Sequence, residues 1–104
     1  MRYSFYDAAE EEFFAAIEYY EEFQLELGLR FSEEVYATIQ RICDHPYTWT
    51  SIDSNTKRCL TNKFPFGVLY RIVDDNIRIM AVMNLHREPG YWRNYERYFK
   101  KNSQ

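Results

Sequence analysis

Apolar residues recur along this chain in two rhythms, and the change of rhythm divides it. Phe13, Ala16, Ile17, Tyr20, Phe23 and Leu27 return at steps of three and four, the period of a helix with one apolar stripe. Asp7-Ala-Ala-Glu10 stands before them as a capping box, Asp7 as N-cap and Glu10 reaching back. The first helix is therefore predicted from Asp7 to about Leu27, with Gly28 suited to a left-handed C-terminal position. A second stripe, Phe31, Val35, Ile39 and Ile42, predicts a helix over Arg30 to Asp44. Pro46 stops it, because the residue before proline avoids helical angles, and His45 is placed to cap its end. The short link at Gly28 makes the two helices an antiparallel pair.

Around the helices the rhythm drops to two. Met1 to Tyr6 alternates and reads as a short strand. Residues 47 to 56, YTWTSIDSNT, read as a loop. Lys57 to Lys63 reads as a half-exposed or edge strand, and Phe66 to Val73 and Ile77 to Leu85 as strong strands. Asp74-Asp75-Asn76 between the last two is hairpin chemistry. A short C-terminal helix over Pro89 to about Phe99 is the remaining candidate element. The order is that of an α+β fold: an N-terminal strand, then an antiparallel helix hairpin packed on a mostly antiparallel sheet.

Parity sorts the central hairpin into two faces. With a turn of two or four residues, even positions of the first strand share a face with odd positions of the second. Phe66, Val68, Tyr70 and Ile72 then join Ile77, Ile79, Ala81, Met83 and Leu85 beneath the helices. The opposite face holds Gly67, Leu69, Arg71 and Val73 with Arg78, Met80, Val82, Asn84 and His86. Arg58, Lys63 and Arg87 are candidates to border it. Such a face could cradle a phosphodiester or an acidic peptide, because the arginine fork binds phosphate and carboxylate at two points. A merely solvated face is the alternative.

Composition narrows the classes. At 104 residues the chain fits one compact domain, taken here as residues 1–104. With 46% hydrophobic residues it can bury a core, so a disordered chain is excluded. No stretch approaches the ~20 apolar residues of a membrane span, and MRYSFYDAAEEEFF has no apolar signal core. Cys43 and Cys59 make no disulfide framework and read as free thiols in a reducing cytoplasm. Charge is divided: residues 1 to 45 carry eleven acids against three bases, and residues 46 to 104 ten bases against five acids. That split suits an anionic partner for the C-terminal half, or attraction between the halves.

The reactive groups cluster in MNLHREPGYW, residues 83 to 92. His86 could serve as a general acid or base, since its ordinary pKa lies near neutrality, or it could simply bond at a strand end. Tyr91 could donate a proton to a leaving group, or pack with Trp92 against the sheet. Two histidines without a carboxylate pattern make no metal site, and no glycine loop for a phosphate is present.

The helix pair ending in RICDHP, Trp49 in the loop beyond, KRCLTNKFPFGVLYRI and IMAVMNLHREPGYW together resemble the RelE/ParE superfamily. These are the toxin halves of bacterial type II toxin–antitoxin pairs, often labelled plasmid stabilisation proteins. KFPFGVLYRI and the HREPGYW ending resemble the ParE-like branch more than the ribosome-dependent nucleases. The resemblance implies growth inhibition in the cytoplasm without a cofactor, and neutralisation by a cognate antitoxin whose disordered segment folds over the toxin. It leaves the target open between DNA gyrase, poisoned by protein contact, and messenger RNA cut on the ribosome. An inert relative is the third reading. As a nuclease the chain would use Arg58, Arg71, His86, Arg87 and Tyr91. Gly67 stands where the nucleases carry an arginine, and Leu60 where a second lysine is expected. The partner-binding residues implied for an antitoxin are Lys63, Arg71, Arg78, Asn84 and Trp92.

Overall fold

A computed structural model describes residues 1–87. The C-terminal helix predicted from Pro89, together with Tyr91 and Trp92, lies outside the described residues. In chain order the elements are β1 (Tyr3–Phe5), α1 (Asp7–Phe23), α2 (Leu27–Asp44), β2 (Thr50–Ser51), β3 (Lys57–Leu60), β4 (Phe66–Val73) and β5 (Asn76–Asn84). The strands form one sheet in the order β1-β5-β4-β3-β2. Only β1 and β5 run parallel; β5–β4, β4–β3 and β3–β2 are antiparallel. This is the α+β architecture expected, with one strand more: Thr50–Ser51 pairs with Arg58 and Lys57 inside the segment read as a loop.

Phe13 and Phe31 are fully buried between the helices and the sheet, each contributing about 2–3 kcal/mol by leaving water. Around them lie Val35, Ile39 and Ile42 of α2 and Val68, Tyr70, Ile77, Ile79 and Val82 of the sheet. Phe31 also meets the rings of Phe66, Tyr20 and Phe64 at centroid distances of 4.7, 4.9 and 5.2 Å. The tilted and edge-on geometry suits ring quadrupoles.

Three local expectations are corrected. Tyr6, not Asp7, is the N-cap of α1, and the predicted capping box does not form; Glu10 N–H donates to the Tyr6 carbonyl instead. The left-handed residue between the helices is Glu26, with φ 70°, and Gly28 already belongs to the first turn of α2. Gly28 is needed for closeness rather than handedness: a Cβ there would stand 2.6 Å from the Ile17 carbonyl oxygen. β3 ends at Leu60 rather than Lys63, because the Thr61 hydroxyl turns the chain by donating to the Phe64 carbonyl at 2.7 Å.

The Asp74–Asp75 turn is the even one that parity requires. Val73 pairs with Asn76, and both aspartates take left-handed angles, φ 51° and 62°, as in a type I′ hairpin. Farther along the same ladder the register slips. Tyr70 pairs with Ile79 but Leu69 pairs with Ala81, so Met80 is the extra residue of a β-bulge. Past the bulge every side chain of β5 changes face. Val82 enters the core under the helices, while Met80 and Ala81 pack with Leu69 on the other side. The expected faces of Ala81, Val82, Met83 and Asn84 are therefore inverted. Leu85 and His86 lie beyond the strand end, both exposed.

Candidate functional site

The sheet side away from the helices carries a second, fully buried apolar cluster with half-buried arginines around it. Leu69, Met80 and Ala81, all fully buried, form the cluster, with Tyr6, Ile52 and Met83 packed around them. Three strands each bring one arginine. Arg58 on β3 sits across from Leu69, and Arg71 on β4 sits across from Arg78 on β5. Like charges directly opposite one another destabilise a strand pair, so this arrangement needs compensation.

Part of it is visible. Arg71 Nε donates to the Thr56 hydroxyl at 3.0 Å. Thr56 is itself fixed by Asp53, whose carboxylate accepts from the Thr56 N–H at 2.8 Å. The Arg78 guanidinium lies 5.3 Å from the centre of the Tyr6 ring, within cation–π range. Arg58 folds its stem over the neighbouring glycine: a Cβ at Gly67 would come within 3.2 Å of Arg58 Cγ and Cδ. Gly67 thus makes room for Arg58, and an arginine at position 67 could not share the face with Arg58 as it lies.

The compensation is incomplete. Nε of Arg58 and Nε of Arg78 are both buried and have no hydrogen-bond partner among the described residues. A buried donor left unpaired costs about 1–3 kcal/mol, more when charged. An incoming carboxylate or phosphate would relieve it with short, charge-assisted bonds. A cleft of about 410 Å³ opens beside Arg71, walled by Tyr47, Asp53, Thr56 and Lys57. Lys57 itself is turned to the loop, donating to the Ser51 hydroxyl at 2.9 Å.

Other candidates lie apart from this face. Asn84 pairs with Phe66 and so points toward α1, where it lines a groove of about 430 Å³ with Ala15, Tyr19, Val82 and Arg87. Arg87 approaches Glu12 of α1 at 4.0 Å. The other oxygen of that carboxylate accepts from the Val82 N–H at 3.0 Å, just past the bulge. His86 is exposed in the turn after β5, its N–H donating to Asn84 Oδ1 at 2.9 Å. Lys63 is exposed in the loop between β3 and β4. The structure thus brings together Arg58, Arg71 and Arg78, and separates Asn84 and Arg87 from them by the thickness of the sheet. Tyr6 and Thr56, which orient Arg78 and Arg71, were not singled out from the sequence; nothing in the local pattern marks them, because the contacts depend on strand order.

The protonatable groups of the helix-side core favour their neutral forms. Burial, and secondarily Cys59, pushes the Tyr70 phenol well above the ordinary tyrosine range, and its hydroxyl donates to the Pro46 carbonyl at 2.6 Å. Burial likewise raises the thiols of Cys43 and Cys59, partly opposed at Cys59 by the Arg41 guanidinium. Both cysteines are free thiols. Raised thiol pKa values leave little thiolate for nucleophilic attack.

Residues 3–89 match the family model described as "ParE toxin of type II toxin-antitoxin system, parDE". The match spans both helices, all five strands and the three arginines of the outer face. No curated protein matches the chain at a significant level.

Proposed function

The chain belongs to the ParE toxin family of type II toxin–antitoxin systems, and on that premise we propose that it arrests growth by protein contact with DNA gyrase and that its outer sheet face receives the antitoxin. ParE toxins pair with a cognate antitoxin. The observation that supports the placement is the pair of buried guanidinium nitrogens on Arg58 and Arg78 that have no partner among the described residues. An antitoxin segment with acidic residues would bring acceptors to both nitrogens at the half-buried arginines, which surround the already buried Leu69, Met80 and Ala81. Coupled folding of an extended acidic segment onto such a face is a familiar recognition mode.

Contact rather than cleavage is favoured by the division of the basic groups. Stabilising a phosphoryl transition state requires donors converging within about 3 Å of one phosphate. Arg87 is engaged with Glu12 on the α1 side, while Arg58 and Arg71 lie on the outer face. A purified gyrase supercoiling assay tests the target; unimpaired supercoiling at toxin excess rejects it. Cleavage of ribosome-programmed messenger RNA that disappears in His86→Ala or Arg87→Ala would establish the nuclease reading instead. For the antitoxin face, Arg71→Glu combined with Arg78→Glu should weaken the complex by ~100-fold or more, about 2.7 kcal/mol. An unchanged dissociation constant by calorimetry refutes the placement.

A further inference from the structure

We propose that the tip of the helix hairpin, formed by Tyr19, Phe23, Leu25 and Leu29, is a second docking surface and that its occupant is a basic amphipathic helix of a partner protein. Four large apolar side chains stand in water at this end of the fold. Tyr19 is 64% exposed, Phe23 76%, Leu25 80% and Leu29 56%. Single exposed apolar residues are ordinary, whereas a concentration of them marks interaction sites.

The tip is also held in one shape. The Glu21 carboxylate accepts from the Glu26 N–H at 2.9 Å and from the Gly28 N–H at 3.0 Å, tying the turn to the end of α1. The Gln24 N–H donates to the Tyr20 carbonyl and the Leu27 N–H to the Gln24 carbonyl. Gly28 lets α2 cross directly over the Ile17 carbonyl. The apolar side chains therefore project from a fixed frame, and a partner meets little ordering cost on this side.

Charge selects the occupant. Residues 18 to 33 carry five glutamates and a single arginine. Glu18, Glu22, Glu26 and Glu33 are exposed around the apolar tip, as is Arg30. A second copy of this chain meeting it tip to tip, or an anionic lipid surface, would bring negative charge against negative charge. A helix with an apolar stripe flanked by lysines or arginines brings opposite charge to the rim and apolar surface to the centre, the helix-docking mode of recognition. This surface belongs to the helix layer, so occupation of the outer sheet face leaves it open.

The test does not depend on the toxin reading. The probe is a fluorescein-labelled peptide of about 18 residues, with leucines at the a and d positions of its heptads and lysines elsewhere. It is titrated with the whole protein at ~0.15 M salt, where long-range attraction is screened. The control peptide carries glutamates in place of the lysines. The lysine peptide is expected to bind with a dissociation constant of ~10–100 µM, and ~10-fold more weakly to Phe23→Ser/Leu25→Ser. Hydrogen exchange should slow across residues 18 to 30 on binding. The two substituted side chains lie in water, so an unchanged melting temperature checks the fold of the variant. Absence of binding, equal binding by wild type and variant, or equal binding of both peptides overturns the proposal. So does sedimentation showing a dimer that the double substitution dissociates, which would assign the tip to a second copy.

Discussion

Replacing Gly28 by alanine should destabilise the protein, against the ordinary sign of that change. In an exposed helix interior alanine is better than glycine by about 1 kcal/mol. Here the new methyl would sit 2.6 Å from the Ile17 carbonyl oxygen, 2.9 Å from Glu21 Cβ and 3.0 Å from Glu21 Oε1. The first obstacle is backbone, so the side chains cannot simply turn away. Restoring ordinary contact, which begins at 3.4 Å, requires α2 to move roughly 0.8 Å off α1. Overpacking of this kind costs about 1–3 kcal/mol. The same movement draws Glu21 off the two N–H groups it caps, a further ~1 kcal/mol. Against the intrinsic gain, the net loss is about 1–3 kcal/mol. Urea unfolding followed by far-ultraviolet circular dichroism reads this as a midpoint lowered by ~1–2 M at unchanged slope. Glu21→Gln isolates the cap: the two N–H groups are held by different carboxylate oxygens, an amide NH2 in place of one of them cannot accept, and ~1 kcal/mol should be lost without any clash. A Gly28→Ala protein as stable as wild type would refute the tight helix crossing, and with it the rigidity ascribed to the hairpin tip.

Two further perturbations address the sheet. Tyr70 stays neutral in the folded chain, so on raising the pH the unfolded chain loses its phenol proton first, near pH 10; above that the unfolded state binds fewer protons and stability falls, by at most ~1.4 kcal/mol per pH unit from this group. Tyr70→Phe should cost ~1 kcal/mol at neutral pH, by removing the bond to the Pro46 carbonyl, and should flatten the alkaline loss; Tyr3 and Tyr20, also raised by burial, keep their share of it. Urea unfolding between about pH 8 and 11 measures both, and an unchanged slope in Tyr70→Phe would contradict the burial of the phenol. Gly67→Ala should move the Arg58 stem, which lies 3.2 Å from the new methyl, while changing stability by less than ~1 kcal/mol. Its antitoxin affinity by calorimetry should fall several-fold, and equal affinity would remove Arg58 from the interface.

Both helices, the hairpin and its even turn were legible from their patterns, except that the first helix ends at Phe23, itself exposed, and Leu27 of its expected stripe opens the second. Phe31, Val35, Ile39 and Ile42 are buried as their spacing requires. What could not be read was anything set by closeness or by a break in period. Gly28 suits a C-terminal glycine equally well in sequence, and only the crossing of α1 shows that it is there for space. β2 has two residues, too few for any alternation to register. The bulge sits within Ile79-Met80-Ala81-Val82, where every residue is apolar, so a slip of one leaves no mark in the pattern. Before the slip the two-faced reading holds, and Arg71 and Arg78 share the outer face as expected; after it the faces exchange.

That single extra residue decides what the site can be. Without it Asn84 would stand on the outer face, and the chain toward His86 and Arg87 would leave the sheet beside Arg58 and Arg71, as a convergent set for a phosphate requires. With it, Val82 completes the core, its N–H meets Glu12, and Arg87 approaches the same carboxylate on the helix side. In exchange, Met80 and Ala81 stand together beside Leu69 in a second buried cluster between the arginines. The helix layer carries the reverse combination, apolar side chains ringed by glutamates. One small fold thus presents two surfaces of opposite charge on opposite layers, and each excludes the partner that fits the other.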